Sequence, residues 1–105
     1  MTKLAETIQK LSEQIFPEVV KHYHWLHRHP ELSYREKLTS EYICRFLKAE
    51  KIPYRKNIGG YGILAWVEGQ KPGKGTTVAF VADMDALPVQ EQNEVEYKSE
   101  NDGVM

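Results

Sequence analysis

The stretch Thr76-Thr77-Val78-Ala79-Phe80-Val81-Ala82-Asp83-Met84-Asp85 decides the fold class. Its first seven residues are apolar or β-branched with hardly an interruption, which is typical of a strand covered on both faces. Such a strand needs neighbouring strands and covering helices, and it therefore favours an α/β protein. The two aspartates follow at i and i+2, so we expect their carboxylates to leave the strand end on one side, about 7 Å apart.

This acidic pair is the most informative constellation for function. In open α/β sheets, ligands gather at the carboxyl ends of strands, where Asp83 and Asp85 are predicted to lie. Two carboxylates in such a place repel each other, and a bound cation or a shared proton relieves the repulsion. The spacing also allows a structural role, in which the pair caps the following turn by accepting hydrogen bonds from backbone amides.

Upstream of this strand, the sequence predicts two to three helices. Apolar residues between Leu4 and Leu26 recur at steps of three and four, which is typical of one continuous helical stripe. Pro17 interrupts the stripe, and we expect it to start a second segment, giving one kinked helix or two helices over residues 2–28. The helical pattern ends at His29-Pro30, because a residue before proline avoids helical angles.

A further helix and a hairpin follow. Ser33 and Glu36 have the spacing of a capping box and predict a helix that runs to about Ala49. β-like residues follow at 52–54, and 63–68 reads as a strand, so Gly59-Gly60-Tyr61-Gly62 between them is predicted to be a hairpin turn. A phosphate-binding loop is disfavoured here, since no helix pattern follows the glycines. Residues 87–105 show little regular pattern.

Size, charge and cysteine content narrow the class of protein. The 105 residues fit one domain, and 41% hydrophobic with 28% charged residues is ordinary for a globular chain. Fourteen basic against fifteen acidic residues give a net charge of −1, so neither nucleic acid nor a membrane is an expected partner. Cys44 is the one cysteine, and we expect it to be buried and inert. Without a disulfide, a signal peptide or a spanning segment, the expected location is the cytoplasm.

Four histidines lie within eight residues, at His22, His24, His27 and His29. A metal site is one interpretation, since His24 and His27 share a helical face. The spacing favours another one, because no carboxylate stands where a His-Glu-x-x-His motif needs it. We therefore expect hydrogen-bonded histidines near the carboxyl end of a helix, where positive charge suits the helix dipole.

Three stretches together resemble one family. They are Leu26-His27-Arg28-His29-Pro30-Glu31-Leu32-Ser33 with Glu36, then Gly59-Gly60-Tyr61-Gly62-Ile63-Leu64-Ala65, and then Val81-Ala82-Asp83-Met84-Asp85-Ala86-Leu87-Pro88-Val89. In this order they resemble the amino-terminal part of the metal-dependent amidohydrolases, the aminoacylase and carboxypeptidase-like metallopeptidases that include hippurate hydrolases and hydrolases of auxin–amino acid conjugates. His27, Leu32 and Ser33 match positions that support the fold near the site of that family.

The resemblance implies an α/β fold in which the helices are followed by the first strands of a three-layer αβα catalytic domain. Residues 1–105 would be the amino-terminal part of that one domain, without the lid or dimerisation domain of full-length members. Those enzymes, often homo-oligomers, hydrolyse a small N-acyl amino acid or a related amide at a pair of divalent metal ions such as zinc, manganese or cobalt. The metals polarise the scissile carbonyl and lower the pKa of a bridging water.

The resemblance also implies site residues. Asp85 matches the catalytic aspartate of the family's Asp-Met-Asp-Ala-Leu-Pro string, which stands behind a metal ligand and orients it. Asp83 stands where other branches of the superfamily carry a ligating histidine, close to the metals. The family's metal ligands and its general-base glutamate lie in sequence that follows the counterpart of Met105. We therefore expect this chain by itself to hold no metal ions stably and to be inactive.

Two other classes of protein remain open. A haloacid-dehalogenase-like phosphatase would use Asp83-x-Asp85 with magnesium, the first aspartate attacking phosphorus. That family places Thr or Val two residues after the second aspartate, whereas this chain has Leu87. The other alternative is a non-catalytic α/β module that acts through exposed strand edges.

Overall fold

Two helices followed by a two-stranded sheet make up the regular structure. A computed structural model describes residues 1–105, with α1 at Lys3–Arg28, α2 at Lys37–Ala49, β1 at Tyr54–Ile58 and β2 at Gly62–Ala65. This order confirms the α/β class, with helices first and the opening strands of a sheet after them. Neither helix is both long and apolar enough to cross a membrane.

Helix α1 is a single helix of 26 residues that continues through Pro17. The prediction that Pro17 starts a second segment is therefore wrong. Proline removes one backbone N–H donor, but the apolar stripe and the hydrogen-bonded turns continue on both sides of it. The helix begins after Thr2, whose Oγ1 accepts a hydrogen bond from the Ala5 amide (3.2 Å), and it ends before Pro30 as predicted.

Helix α2 has the predicted extent but a different cap. The expected capping box of Ser33 and Glu36 is absent, because Glu36 is the N-cap residue and its side chain makes no capping hydrogen bond. Ser33 lies too far upstream to reach the first helical amides. The carboxylate of Glu31 takes this role and accepts hydrogen bonds from the backbone amides of Leu38 (3.1 Å) and Thr39 (2.6 Å).

The glycine-rich segment is a hairpin turn, as predicted. Strands β1 and β2 pair antiparallel with Tyr54 opposite Ala65, and the register shifts once, between Arg55 and Ile58. The turn is tight, because a Cβ atom at Gly62 would lie 2.4 Å from the carbonyl oxygen of Ile58. The hairpin packs against α2, which places the sheet on one side of that helix.

The predicted strand at 76–82 is not formed. These residues belong to no strand, and the side chains of Phe80 and Val81 are 96% and 91% exposed. A segment that is apolar on both faces needs a hydrogen-bonded strand on at least one side. No strand pairs with this segment, so its backbone has nothing to form a ladder with.

The interior is correspondingly small. Six of the 105 residues are buried, and the buried hydrophobic side chains are those of Cys44, as predicted, and Val104. The two helices meet where the ring of Trp25 stacks on that of Tyr42, with centroids 3.8 Å apart. Earlier in α1 the apolar stripe is open to solvent, as the 54% exposure of Leu11 shows.

Candidate functional site

The predicted site residues Asp83 and Asp85 both lie at the surface, at the mouth of a large cleft. Asp85 is fixed on one side, since its Oδ2 accepts a hydrogen bond of 2.5 Å from the hydroxyl of Ser33. Asp83 makes no hydrogen bond or ion pair within the chain. The sequence thus identified two carboxylates that share one surface, of which one is held in place.

The backbone on both sides of Asp85 is clamped by two other segments. The Ala86 amide donates to the carbonyl oxygen of Glu31 (2.8 Å), and Leu32 forms an isolated parallel bridge with Ala86. On the other side, Leu87 and Met105 exchange both of their backbone hydrogen bonds, at 2.8 and 3.0 Å. Asp85 is therefore held by the turn between the two helices and by the last residue of the chain.

Glu31 connects this clamp to α2 and was not predicted as a functional or capping residue. Its backbone carbonyl holds the residue after Asp85, while its carboxylate accepts three hydrogen bonds from Leu38 and Thr39, two from amides and one from the threonine hydroxyl (2.7 Å). The carboxylate also offsets the positive end of the α2 dipole. No sequence spacing rule covers a cap that lies six residues before its helix.

Glu91 is a second anchor that sequence reasoning missed. It is 3% exposed, and its carboxylate accepts hydrogen bonds from the Ser99 amide (2.6 Å) and from the His27 ring (2.9 Å). These hydrogen bonds, chiefly that of Ser99, hold the pKa of Glu91 below its usual range. Glu91 lies in a run of polar residues without periodicity, so nothing in the pattern marked it as buried.

The histidines of α1 are engaged with neighbouring side chains, as the favoured interpretation predicted. His22 Nδ1 lies 2.7 Å from the hydroxyl of Tyr42, and His29 Nδ1 lies 2.7 Å from the carbonyl oxygen of Trp25. His24 stacks on Tyr97 with ring centroids 4.0 Å apart. Burial raises the pKa of the Tyr42 hydroxyl. Each ring thus has a structural partner.

A cleft of about 820 Å³ lies beside the acidic pair. Its floor comes from α1 and α2, one wall comes from β2, and the other comes from the extended segment that ends at Asp83. Twelve of its seventeen lining residues are hydrophobic, which makes it an apolar cleft with two carboxylates at one end.

The residues of this chain do not by themselves form a metal site. No three histidine, cysteine, aspartate or glutamate side chains lie close enough together to hold an ion. Asp83 and Asp85 supply two carboxylates, whereas hydrolytic metal centres hold each ion with three or more protein ligands. The arrangement offers positioned acidic groups and no complete centre.

Comparison with known proteins gives the family. No family model matches the chain. Over all 105 residues, the chain is 40% identical to YhaA of Bacillus subtilis, a protein named as an amidohydrolase, and covers 26% of its length. It is 38% identical, also over 105 residues, to an N-acyl-L-amino acid amidohydrolase of Geobacillus stearothermophilus, of which it covers 27%.

Solved structures agree with these relatives. The YXEP protein of Bacillus subtilis, described as a dinuclear metal binding peptidase of the M20 family, matches 89% of the chain with a TM-score of 0.79 and 34% identity. A protein of methicillin-resistant Staphylococcus aureus, described as an aminohydrolase, matches 95% of the chain with a TM-score of 0.85 and 35% identity. The chain covers 26% of each of these two structures. By sequence and by fold, it belongs to the metal-dependent amidohydrolases that its motifs predicted, and it spans about a quarter of the length of these relatives.

Proposed function

We propose that this chain contributes one part of an enzyme that hydrolyses the amide bond of N-acyl amino acids or similar conjugates. The observation that carries the proposal is the position of Asp85, which is held by Ser33 at the mouth of the cleft. The match to an N-acyl-L-amino acid amidohydrolase over all 105 residues supports the substrate class.

Within that enzyme, residues 1–105 are the amino-terminal part of a single catalytic domain and include no lid or dimerisation domain. Asp85 is the positioned carboxylate that orients a metal ligand, and Asp83 lies near the metals without being a ligand. Two divalent ions such as zinc, manganese or cobalt supply the electrophile that activates water in this type of enzyme. The match to a dinuclear metal binding peptidase supports two ions.

The chain by itself is expected to be inactive. Two carboxylates at the surface cannot hold an ion with the three or more ligands that metal-assisted hydrolysis needs. Purified chain with zinc, manganese or cobalt is therefore expected to release no amino acid from N-acetyl amino acids. Turnover that persists through repurification would contradict this expectation.

A chimera tests the function directly. Residues 1–105 replace the matching segment of the Geobacillus stearothermophilus amidohydrolase, and hydrolysis of N-acetyl amino acids is measured. We expect activity, and we expect Asp85→Asn to lower kcat by about 10- to 100-fold, because a residue that orients a metal ligand has effects of that size. A folded but inactive chimera would contradict the proposal.

The same preparations exclude the phosphatase alternative. A phosphatase of the Asp-x-Asp type needs its first aspartate as nucleophile, so the 105-residue chain with magnesium would release p-nitrophenol from p-nitrophenyl phosphate, and Asp83→Asn would abolish that release. We expect no release from either form. The Ser33 hydrogen bond on Asp85 and the presence of Leu87 both disfavour this chemistry.

A further inference from the structure

One wall of the cleft is a strand-like segment without a partner. Between residues 67 and 85, no backbone N–H or C=O group takes part in a backbone hydrogen bond. The same region holds the most exposed apolar side chains near the cleft, with Val78 71%, Phe80 96% and Val81 91% exposed. Backbone and side chains along 76–82 are therefore both available to a binding partner.

The opposite wall is an unpaired strand edge. The Trp66 amide donates to the carbonyl oxygen of Pro53 (3.2 Å), which directs position 66 toward the segment that leads into β1. Backbone groups alternate in direction along a strand, so Leu64 also faces β1. The amides of Ile63 and Ala65 consequently lie on the free edge of β2, the strand that walls the cleft.

The two walls bound one apolar space and do not touch through their backbones. Side chains of Ile63 and Ala65 from β2, and of Phe80 and Ala82 from the segment, line the same cleft of about 820 Å³. No backbone hydrogen bond joins β2 to residues 76–82. Below them, α1 and α2 contribute an apolar floor that includes Leu26, Ile43 and Leu47.

We propose that this cleft binds an extended polypeptide segment, which forms a strand between β2 on one side and residues 76–82 on the other. Two rows of unpaired amides and carbonyls call for a ligand with donors and acceptors on both edges, and an extended backbone has both. The apolar floor calls for β-branched or aliphatic side chains on the face that meets the helices. Binding would order 76–82 as the strand that its sequence predicts.

The occupant is a strand of the amidohydrolase fold from outside residues 1–105. The chain covers 26% of the relatives it matches, so most of the fold that could supply such a strand lies elsewhere in those proteins. The proposal concerns binding and folding, and it does not depend on the proposed catalytic activity.

Synthetic peptides test the two-sided pairing on the 105-residue chain. The probe is a fluorescent heptapeptide with five valine or isoleucine residues between two lysines, and binding is followed by fluorescence anisotropy. One derivative carries N-methyl groups on odd positions and another on even positions, so that each has one blocked edge. We expect each derivative to bind about ten-fold or more weaker than the parent, since each loses the hydrogen bonds of one edge.

Equal binding of the parent and either derivative would overturn the proposal, as would the absence of parent binding to folded chain. Folding is checked by circular dichroism and by exchange protection of the hairpin amides. A dimer of the free chain that protects the amides of 76–82 would assign the cleft to a second copy, and it would also overturn the proposal.

Proline substitutions place the contact in the chain. Adjacent amides of an extended segment face opposite edges, so only one of Val81→Pro and Ala82→Pro removes a donor that faces the cleft. We expect one variant to weaken peptide binding about five-fold or more and the other, its matched control, to change it less than two-fold. Since neither amide is hydrogen-bonded within the backbone of the free chain, both variants should fold. Equal effects of the two would contradict a strand pairing at this wall.

Discussion

Removal of the Glu31 carboxylate should destabilise the fold through the start of α2. Glu31→Ala deletes three hydrogen bonds, from the Leu38 amide (3.1 Å), the Thr39 amide (2.6 Å) and the Thr39 hydroxyl (2.7 Å). Loss of a helix cap costs about 1 kcal/mol, and loss of a negative charge at the helix start costs about 0.5 kcal/mol more. Thr39 is 5% exposed, so water replaces its lost partner poorly. We expect the free energy of unfolding to fall by about 2 kcal/mol.

Urea unfolding followed by circular dichroism at 222 nm measures this change. Glu36→Ala is the matched control, because it removes a glutamate at the start of the same helix that makes no capping hydrogen bond. For that control we expect a change below about 0.5 kcal/mol. A Glu31→Ala variant as stable as wild type, or a control equally destabilised, would refute the capping role of Glu31.

Two further perturbations test the acid anchor and the hairpin. The pKa of Glu91 is lowered in the folded chain, chiefly by the Ser99 amide, so its stabilising effect is complete above the unfolded pKa near 4.5 and is lost as pH falls through the lower folded value. Glu91→Gln should therefore flatten the decline in stability below about pH 4.5 in urea titrations at several pH values, and an unchanged profile would contradict this. Gly62→Ala places a Cβ atom 2.4 Å from the Ile58 carbonyl oxygen and should cost about 1–3 kcal/mol by thermal melting, whereas Gly69→Ala, with open space around it, should be nearly neutral. Similar melting temperatures for the two glycine variants would argue against a tight hairpin turn.

Local patterns predicted the elements that depend on local interactions. The stripe of α1, its end before Pro30, the extent of α2 and the turn at 59–62 follow from periodicity and from glycine and proline chemistry. The segment 76–82 was predicted from its composition alone, and it is not a strand because strand formation requires a hydrogen-bonded neighbour. Its apolar pattern therefore describes an environment that these 105 residues do not provide.

The parts of the site that sequence analysis missed depend on contacts between distant residues. Asp85 was predicted from its motif, but its donor Ser33 was assigned to a helix cap, since the hydrogen bond between them spans 52 positions. Glu31 and Glu91 are isolated carboxylates whose partners are fixed by the folding of separate segments. No periodicity marks a residue of that kind.

The stretch from Glu91 to Val104 has a defined course without helix or strand, and this has a consequence for how it tolerates change. Few points fix it: the Glu91 carboxylate, the Ser99 hydroxyl on the Val104 carbonyl (2.7 Å), and the Asn101 amide on the Pro30 carbonyl (3.1 Å). Between those points the side chains are free to vary, so substitutions across 92–98 should be accepted readily. A single exchange at one fixed point would instead release the whole stretch, because no ladder of backbone hydrogen bonds stands in reserve.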